Sequence, residues 1–234
     1  MSNRSVRKRE AILAAATELF LTREYAGTSM EDIAVEAAVS KQTVYKHFND
    51  KETLFREVAL GSIGPVGSTF QAEVIAASEA TDVSSALRGL ARSYVTAVMN
   101  PMLLRRRQLV LREAGRFPDL ARRYYESGPR RAIQTLASAF ARLAERGELD
   151  LDDPQVAAKQ FAFLVVGEPL DTAMFRGAGR RMTRRELTHW RMRAYRYFSL
   201  PMRERGKSRG YGGRRSRTAS LGCALCPHAS GVVD

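Results

Sequence analysis

Apolar residues recur at intervals of three and four positions along most of this 234-residue chain. This spacing places them on one face of an α-helix, whereas a half-buried β-strand alternates apolar and polar residues. Prolines, glycines and capping residues divide the pattern into separate helices. They are predicted at about residues 7–23, from Ser29, at 41–48, from Lys51, and at 69–78, 83–99, 102–115, 129–146, 154–176 and 183–199. Since only loops remain between these segments, the predicted fold class is all-α.

Changes in composition divide the chain into three parts. Four glycine and proline residues between positions 61 and 67 predict a kink or short break after an N-terminal unit over residues 1–60. A second helical unit is predicted over residues 61–202. The last part, residues 203–234, is rich in Arg, Gly and Ser, and its apolar surface is too small to offset the entropy of ordering it. We therefore predict a disordered tail there.

The net charge of +13 favours an acidic partner such as nucleic acid. Residues 1–60, however, contain nine basic and nine acidic residues, so the excess lies elsewhere in the chain. No stretch approaches the roughly 18 consecutive apolar residues of a membrane span. The first residues form a charged run and not a signal-peptide core. We therefore expect a cytoplasmic protein with no membrane partner.

The segment over residues 29–48 predicts a helix-turn-helix, in which Ser29 and Ser40 cap two short helices. Two such helices pack at a steep angle, so that the second enters a DNA major groove while the first crosses the backbone. Once Val44 and Phe48 face inward, the second helix has six outward positions without a carboxylate. They are Lys41, Gln42, Thr43, Tyr45, Lys46 and His47.

The acidic residues lie on the preceding helix instead. That helix exposes Glu31, Asp32 and Glu36, which suits a helix that stays outside the groove. On periodicity alone, a small three-helix core with a solvated polar face explains the pattern equally well.

Residues 7–60 as a whole resemble the N-terminal domain of TetR/AcrR-family transcriptional regulators. The resemblance rests on Ile12, Leu13, Ala15, Ala16, Leu19, Phe20, Thr28, Ser29, Ile33, Ala34, Ala37, Val39, Ser40, Thr43, Tyr45, His47, Phe48, Lys51, Glu52 and Leu54. It implies an all-helical homodimer whose first three helices bind DNA and whose remaining helices bind a ligand and dimerise. Two residues depart from the family pattern: Ala38 stands where glycine is usual, and Gln42 where a small residue is common.

The resemblance also implies a set of DNA contacts. Tyr45 and His47 are expected on phosphates, and Thr43 beside a base edge or methyl group. Lys51 is expected to hold a phosphate together with the N-terminus of its helix. Ser29 is expected to cap its helix and to contact a phosphate.

Three further side chains of the second short helix occupy positions that vary in the family. Lys41, Gln42 and Lys46 are therefore the candidates for reading the base sequence. The amide of Gln42 suits adenine, and the two lysines suit guanine or a phosphate. The expected partner is a double-stranded operator that is nearly palindromic, because a two-fold dimer presents two recognition helices.

The second unit resembles, over residues 107–128, the C-terminal domain of AefR-like regulators, which implies an architecture and no particular ligand. Its helices are expected to surround a cavity for a small-molecule effector, with six candidate lining residues. They are Tyr94, Met99, Met102, Leu103, Phe117 and Phe140. Each of them fits an ordinary core equally well. We expect a predominantly apolar ligand with at most one charged end, which would be anionic if one arginine of the 105–112 run points inward.

Two late segments, 154–176 and 183–199, are apolar on more than one face, so a second face must also be buried. In the family the last two helices pack against their twins, and these segments are expected to form the homodimer. Phe161 and Phe175 are the candidate interface residues of the first segment.

Enzymatic and metal chemistry is not indicated by any motif. His189 and His228 have no catalytic set of Ser, Cys or carboxylate at a useful spacing, and Cys223 and Cys226 form only half of a zinc motif. We predict neither an enzyme nor a cofactor. The predicted function is a sequence-specific DNA-binding regulator, a repressor that an apolar or amphipathic ligand releases. The alternative is a basic helical protein that binds nucleic acid without sequence preference.

Overall fold

The computed structural model describes residues 3–61, 63–80 and 82–175. Within these ranges the chain forms helices and connecting loops without a strand, which confirms the all-α prediction. The helices are α1 Asn3–Arg23, α2 Met30–Glu36, α3 Lys41–His47, α4 Lys51–Leu60, α5 Ile63–Ser78, α6 Val83–Val98, α7 Pro101–Arg112, α8 Pro118–Tyr125, the π-helical turn Glu126–Arg130, α9 Arg131–Glu145 and α10 Pro154–Phe175. In this part of the chain no helix is long and apolar enough to cross a membrane. The predicted helix over 183–199, the tail over 203–234 and both cysteines lie outside the described residues.

Helix α8 is absent from the sequence prediction, which treated Pro118 only as a break. Pro118 instead occupies the first position of the helix, where proline is favoured because its missing N–H needs no partner. The start that the sequence predicts at residue 69 for the helix after α4 was also late. Helix α5 begins at Ile63, and Pro65 falls in its first turn, where the backbone donors have no intrahelical acceptor.

The first core is formed by the four helices α1, α2, α3 and α4 together with parts of α7 and α8. Its largest fully buried side chains include Phe20, Phe48 and Phe55. Leu109 and Leu120, from α7 and α8, pack into the same cluster. Helices α1, α2, α3 and α4 therefore share an apolar core with two helices of the following unit.

The second core is formed by α5, α6, α9 and α10. Phe161 lies at its centre, fully buried, and its ring meets that of Phe140 edge-on at 5.5 Å between centroids. The expectation that Phe161 faces a dimer partner was therefore wrong, because this side of α10 packs inward. Phe163, two positions later on the same helix, is 71% exposed.

The turn between α2 and α3 contains a strained alanine. Ala37 ends α2 at φ −80°, and Ala38 then adopts φ 51°, the left-handed region that glycine tolerates best. The reversal is closed by two backbone hydrogen bonds, from Ala38 N to the Val35 carbonyl (3.1 Å) and from Val39 N to the Ala34 carbonyl (3.0 Å). The glycine that the family uses at this position would fit the turn without strain.

Replacement of Ala38 by glycine is expected to raise the free energy of unfolding by up to about 1 kcal/mol. The left-handed conformation costs an alanine roughly 1–2 kcal/mol, and part of the gain is lost because glycine has more freedom in the unfolded chain. Urea denaturation of the two proteins measures the difference. Ala37→Gly is the matched control, and it should lower stability by about 0.5–1 kcal/mol since Ala37 has a helical φ. A lower denaturation midpoint for Ala38→Gly would contradict this account of the turn.

Candidate DNA-binding surface and ligand cavity

Helix α2 begins with a reciprocal capping box. Ser29 Oγ accepts a hydrogen bond from Asp32 N (3.1 Å), and a carboxylate oxygen of Asp32 accepts bonds from Ser29 N (3.0 Å) and Ser29 Oγ (2.7 Å). The hydrogen bond from the Ser29 side chain is the main reason that the pKa of Asp32 lies below its ordinary value. Both groups thus satisfy the start of α2, which fixes the helix that precedes the recognition helix.

Helix α3 is held by two buried side chains on its inner face. Val44 is fully buried and Phe48, directly after the helix, is almost so. Ser40 opens the helix by accepting a hydrogen bond from Thr43 N (3.2 Å), and the two hydroxyls share a further bond of 2.8 Å. Because the inner face is anchored, the outer face has a fixed direction.

The outer face of α3 presents the residues that the sequence analysis assigned to DNA. Four side chains are exposed, namely Lys41, Gln42, Tyr45 and Lys46, and two are half-buried, namely Thr43 and His47. All six lie on one seven-residue helix, so they form one continuous surface. The side chains of this surface carry two ammonium groups, an amide, a hydroxyl, a phenol and an imidazole. Groups of these kinds contact phosphates and base edges.

Lys41 is engaged by the preceding helix. Its ammonium forms an ion pair with Glu31 of α2 and lies 5.9 Å from the centre of the Tyr45 ring. The hydrogen bond to Glu31 is the main reason that the pKa of Lys41 is raised. An exposed pair of this kind contributes little to stability, so Lys41 can exchange Glu31 for a phosphate at low cost.

Lys51 stands at the start of α4, as the sequence analysis expected, and its ammonium points at the loop between α1 and α2. It donates hydrogen bonds to the carbonyl oxygens of Tyr25 and Thr28, each at 2.9 Å, and lies 4.2 Å from the Tyr25 ring centre. Burial is the main cause of its lowered pKa. Two of its three donors are thus used to hold this loop, which leaves one for a phosphate.

An aromatic cluster and several arginines connect the DNA-binding helices to α7 and α8. Phe117 is buried between the rings of Tyr25 and Phe55, with centroid distances of 5.0 and 5.4 Å. Arg56 of α4 lies 5.4 Å from the Phe117 ring centre and donates to Asp119 at the start of α8, with Nη2 to Oδ1 at 3.1 Å. The hydrogen bond to Asp119 is the main cause of the raised pKa of Arg56.

A second ion pair reinforces this junction. Arg112 is the last residue of α7, and Glu24 directly follows α1. Arg112 Nη1 donates a hydrogen bond of 3.0 Å to Glu24 Oε1. Arg116 lies over the Tyr25 ring at 4.9 Å. The segment from α7 to α8 is therefore attached to both α1 and α4.

A cavity of about 130 Å³ lies among α5, α6, α7, the π-helical turn and α9. The residues of the described chain that line it are mostly apolar and include no carboxylate. Its apolar lining residues include Ile63, Phe70, Val98, Leu104, Ala132 and Val166. A mostly apolar concavity with a few polar groups is the usual form of a small-molecule site.

Only two of the six residues predicted to line a cavity do so. Tyr94 and Leu103 line the cavity described here. Phe117 belongs to the first core, Phe140 is fully buried in the second core, and Met99 packs against that second core. Met102 is partly buried and does not line the cavity.

Tyr124 was not among the predicted lining residues, because α8 was not predicted. Tyr124 lines the cavity and also packs into the first core, which contains the DNA-binding helices. The helical spacing of apolar residues after Pro118 is the sequence signal from which α8 could have been predicted. Tyr124 therefore belongs both to the cavity wall and to the first core.

The chain resembles known families in both of its halves. The family profile described as bacterial regulatory proteins, tetR family, matches residues 12–58. The profile described as AefR-like transcriptional repressor, C-terminal domain, matches residues 85–199. Their boundary falls between α4 and α6, so one profile covers the DNA-binding helices and the other covers most of the second unit.

Comparisons with individual proteins agree with the profiles. A protein from Mesorhizobium loti MAFF303099, described as a TetR-family transcriptional regulator, is 39% identical, with a TM-score of 0.78 over 86% of this chain and 99% of its own. The flavonoid-responsive regulator FrrA is 31% identical, with a TM-score of 0.63 over 86% of this chain and 99% of its own. The HTH-type transcriptional regulator TcmR of Streptomyces glaucescens is 29% identical over 63% of each chain, so the match spans less than two thirds of that relative.

The structure and the comparisons therefore agree on the role of the N-terminal helices. They form a helix-turn-helix, and the proteins to which the chain is similar are transcriptional regulators and not enzymes. The chain belongs to the TetR family of DNA-binding transcriptional regulators.

Proposed function

We propose that this regulator is a homodimeric repressor that binds a nearly palindromic operator and is released by a small apolar or amphipathic ligand. The observation that carries the proposal is the outer face of α3, where Gln42, Tyr45 and Lys46 are exposed while Val44 anchors the helix from below. A rigid helix with outward amides and donors is suited to reading base edges in a major groove.

The charge distribution favours this proposal over sequence-independent binding. A protein that binds nucleic acid through charge alone needs an excess of cations at its contact surface. The unit over residues 1–60 has equal numbers of basic and acidic residues. Affinity from α3 therefore depends on the arrangement of its side chains and not on a general positive field.

Repression and release by a ligand are supported by the second unit. Its family profile is described as that of an AefR-like transcriptional repressor, and the 31% identical FrrA is described as flavonoid-responsive. The cavity has an apolar wall, and Tyr124 connects that wall to the core of the DNA-binding helices. A ligand that favours one arrangement of this wall would shift the orientation of α3, with a typical coupling of about 1–3 kcal/mol.

Dimerisation is proposed through the outer face of α10 together with the predicted helix over 183–199. Val156, Phe163, Leu164 and Phe175 are all exposed, and Phe175 reaches 88% exposure. Phe163 and Leu164 follow Val156 by seven and eight positions, and Phe175 follows Leu164 by eleven. These separations place the side chains on one face of a helix. An exposed apolar stripe of this kind is typical of a protein–protein interface.

Selection from random double-stranded DNA is expected to enrich a nearly palindromic site whose half-site centres lie roughly 34–36 Å apart. Gln42→Ala should change the enriched bases within each half-site, because the amide that pairs with a base is lost. Gln134→Ala, an exposed glutamine on α9, is the control and should enrich the wild-type site. If the wild type enriches no palindrome, the alternative of sequence-independent binding is correct.

Phe163→Glu is expected to convert the dimer to a soluble monomer and to lower operator affinity at least about tenfold, since each half-site then binds alone. Sedimentation velocity and operator titration measure the two effects. Tyr125→Glu, which places the same charge on an exposed aromatic residue of α8, should remain dimeric. A dimeric Phe163→Glu protein would show that the interface lies elsewhere. Phe161→Glu is unsuitable for this test because it buries a charge in the core.

Apolar compounds that bind the cavity are expected to raise the melting temperature and to release the operator. Gly67→Trp should weaken their binding at least about tenfold, because Gly67 lines the cavity and no atom lies within 4 Å of the position of a Cβ there. Gly64→Trp on the same helix is the control, since that position is equally open and does not line the cavity. Thermal shift and operator release measure both variants. Equal effector binding by the two variants would place the ligand site elsewhere.

A further inference from the structure

Polar side chains interrupt the apolar wall of the cavity, and three of them come from helices α6, α7 and α8. Gln71, Ser127, Arg131 and Thr135 also line it. Tyr94 comes from α6, Tyr124 from α8 and Arg107 from α7. Three different helices thus bring two phenols and one guanidinium to a single concave surface.

The two phenols are buried donors without an acceptor. Tyr94 is 5% exposed and Tyr124 is 8% exposed, and neither hydroxyl forms a hydrogen bond with the part of the chain that the structure describes. Burial raises the pKa of Tyr94 to about 12 and raises that of Tyr124, so both are neutral donors at physiological pH. Each hydroxyl is thus able to donate a hydrogen bond to an acceptor on a ligand in the cavity.

Arg107 supplies an uncompensated positive charge at the same wall. It forms no ion pair with a described residue, and its charge acts on both phenols, where it opposes the effect of burial on each pKa. The exposed Arg131 is a second lining cation, and none of the described residues that line the cavity is a carboxylate that would balance either one. The charged side chains among the described lining residues are therefore both cations.

We propose that the effector of this cavity is a monoanionic amphiphile, whose single acidic group is bound by Arg107 and accepts hydrogen bonds from the hydroxyls of Tyr94 and Tyr124. The inference rests on the proposed function of the cavity as an effector site. A neutral polar ligand would satisfy the phenols and leave the guanidinium unpaired, whereas a carboxylate or phenolate satisfies all three groups. Bonds between a guanidinium and an anion are shorter and stronger than bonds between neutral groups. The remaining apolar wall selects the hydrocarbon part of the molecule, aliphatic or aromatic.

The test uses the full-length protein and two matched pairs of probes, decanoate with decanamide and 2-naphthoate with 2-naphthamide. Binding is measured by isothermal titration calorimetry near neutral pH, together with release of the selected operator. We expect at least one anion to bind the wild type about tenfold or more tightly than its amide. The pair that shows this preference also distinguishes an aliphatic from an aromatic effector.

Two variants locate the origin of this preference. Arg107→Gln should abolish the preference for the anion and leave amide affinity unchanged. Arg105→Gln removes the same charge from a neighbouring position of α7 that does not line the cavity, and it should keep the preference. Tyr94→Phe should weaken anion binding without changing the fold, because it removes only the hydroxyl.

The results separate this inference from the proposed function beneath it. If the amides bind and release the operator as well as the anions do, the cavity is an effector site and the anion proposal is wrong. An anion preference that survives in Arg107→Gln would also overturn the assignment to Arg107. If no probe binds the wild type at about 1 mM, which corresponds to roughly −4 kcal/mol, both the inference and the proposed effector site fail.

Discussion

The burial of Phe117 between Tyr25 and Phe55 determines how the DNA-binding helices are held against the rest of the chain. Removal of a buried phenylalanine typically costs about 3–5 kcal/mol, a large part of the stability of an ordinary domain. Arg56 and Arg116 lie over rings of this cluster, so their charges are placed where aromatic faces attract cations. Since α4 and the loop after α1 both contribute rings, the orientation of the helix-turn-helix depends on the segment between α7 and α8.

That dependence gives the cavity a physical route to the DNA-binding surface. Tyr124 and Phe117 lie at opposite ends of α8, one against the cavity and the other in the aromatic cluster. The helix has only eight residues and continues into a π-helical turn, Glu126–Arg130, part of which lines the cavity. In the proposed release by a ligand, this short helix is the element through which a change at Tyr124 would act on Phe117. The adjoining π-helical geometry is often found at functional positions.

Local features of the N-terminal unit were predictable from sequence, and the contacts between helices were not. Ser29 and Ser40 cap their helices through residues three positions away, so a short window of sequence contains both partners. Val44 is buried because helical periodicity assigns it an inner face. Phe161 shows the limit of this reasoning, since a helix that is apolar all round does not reveal which face meets the core and which meets a partner. Phe117 shows it again, because its neighbours come from distant parts of the chain.

The arginines of α7 explain why much of the positive charge lies away from the DNA-binding unit. Arg112 pairs with Glu24 and helps to fix the domain junction. Arg106 is partly buried, and its Nε has no hydrogen-bond partner among the described residues. Its Nη1 lies close to Gly61, directly after α4, at 3.9 Å from the point that a Cβ atom of that residue would occupy. Arg107 is turned by about 100° from its neighbour and faces the cavity. Adjacent cations on one helix thus lie at different places, the junction and the cavity wall, so the net charge of the chain does not measure the charge at the surface of α3.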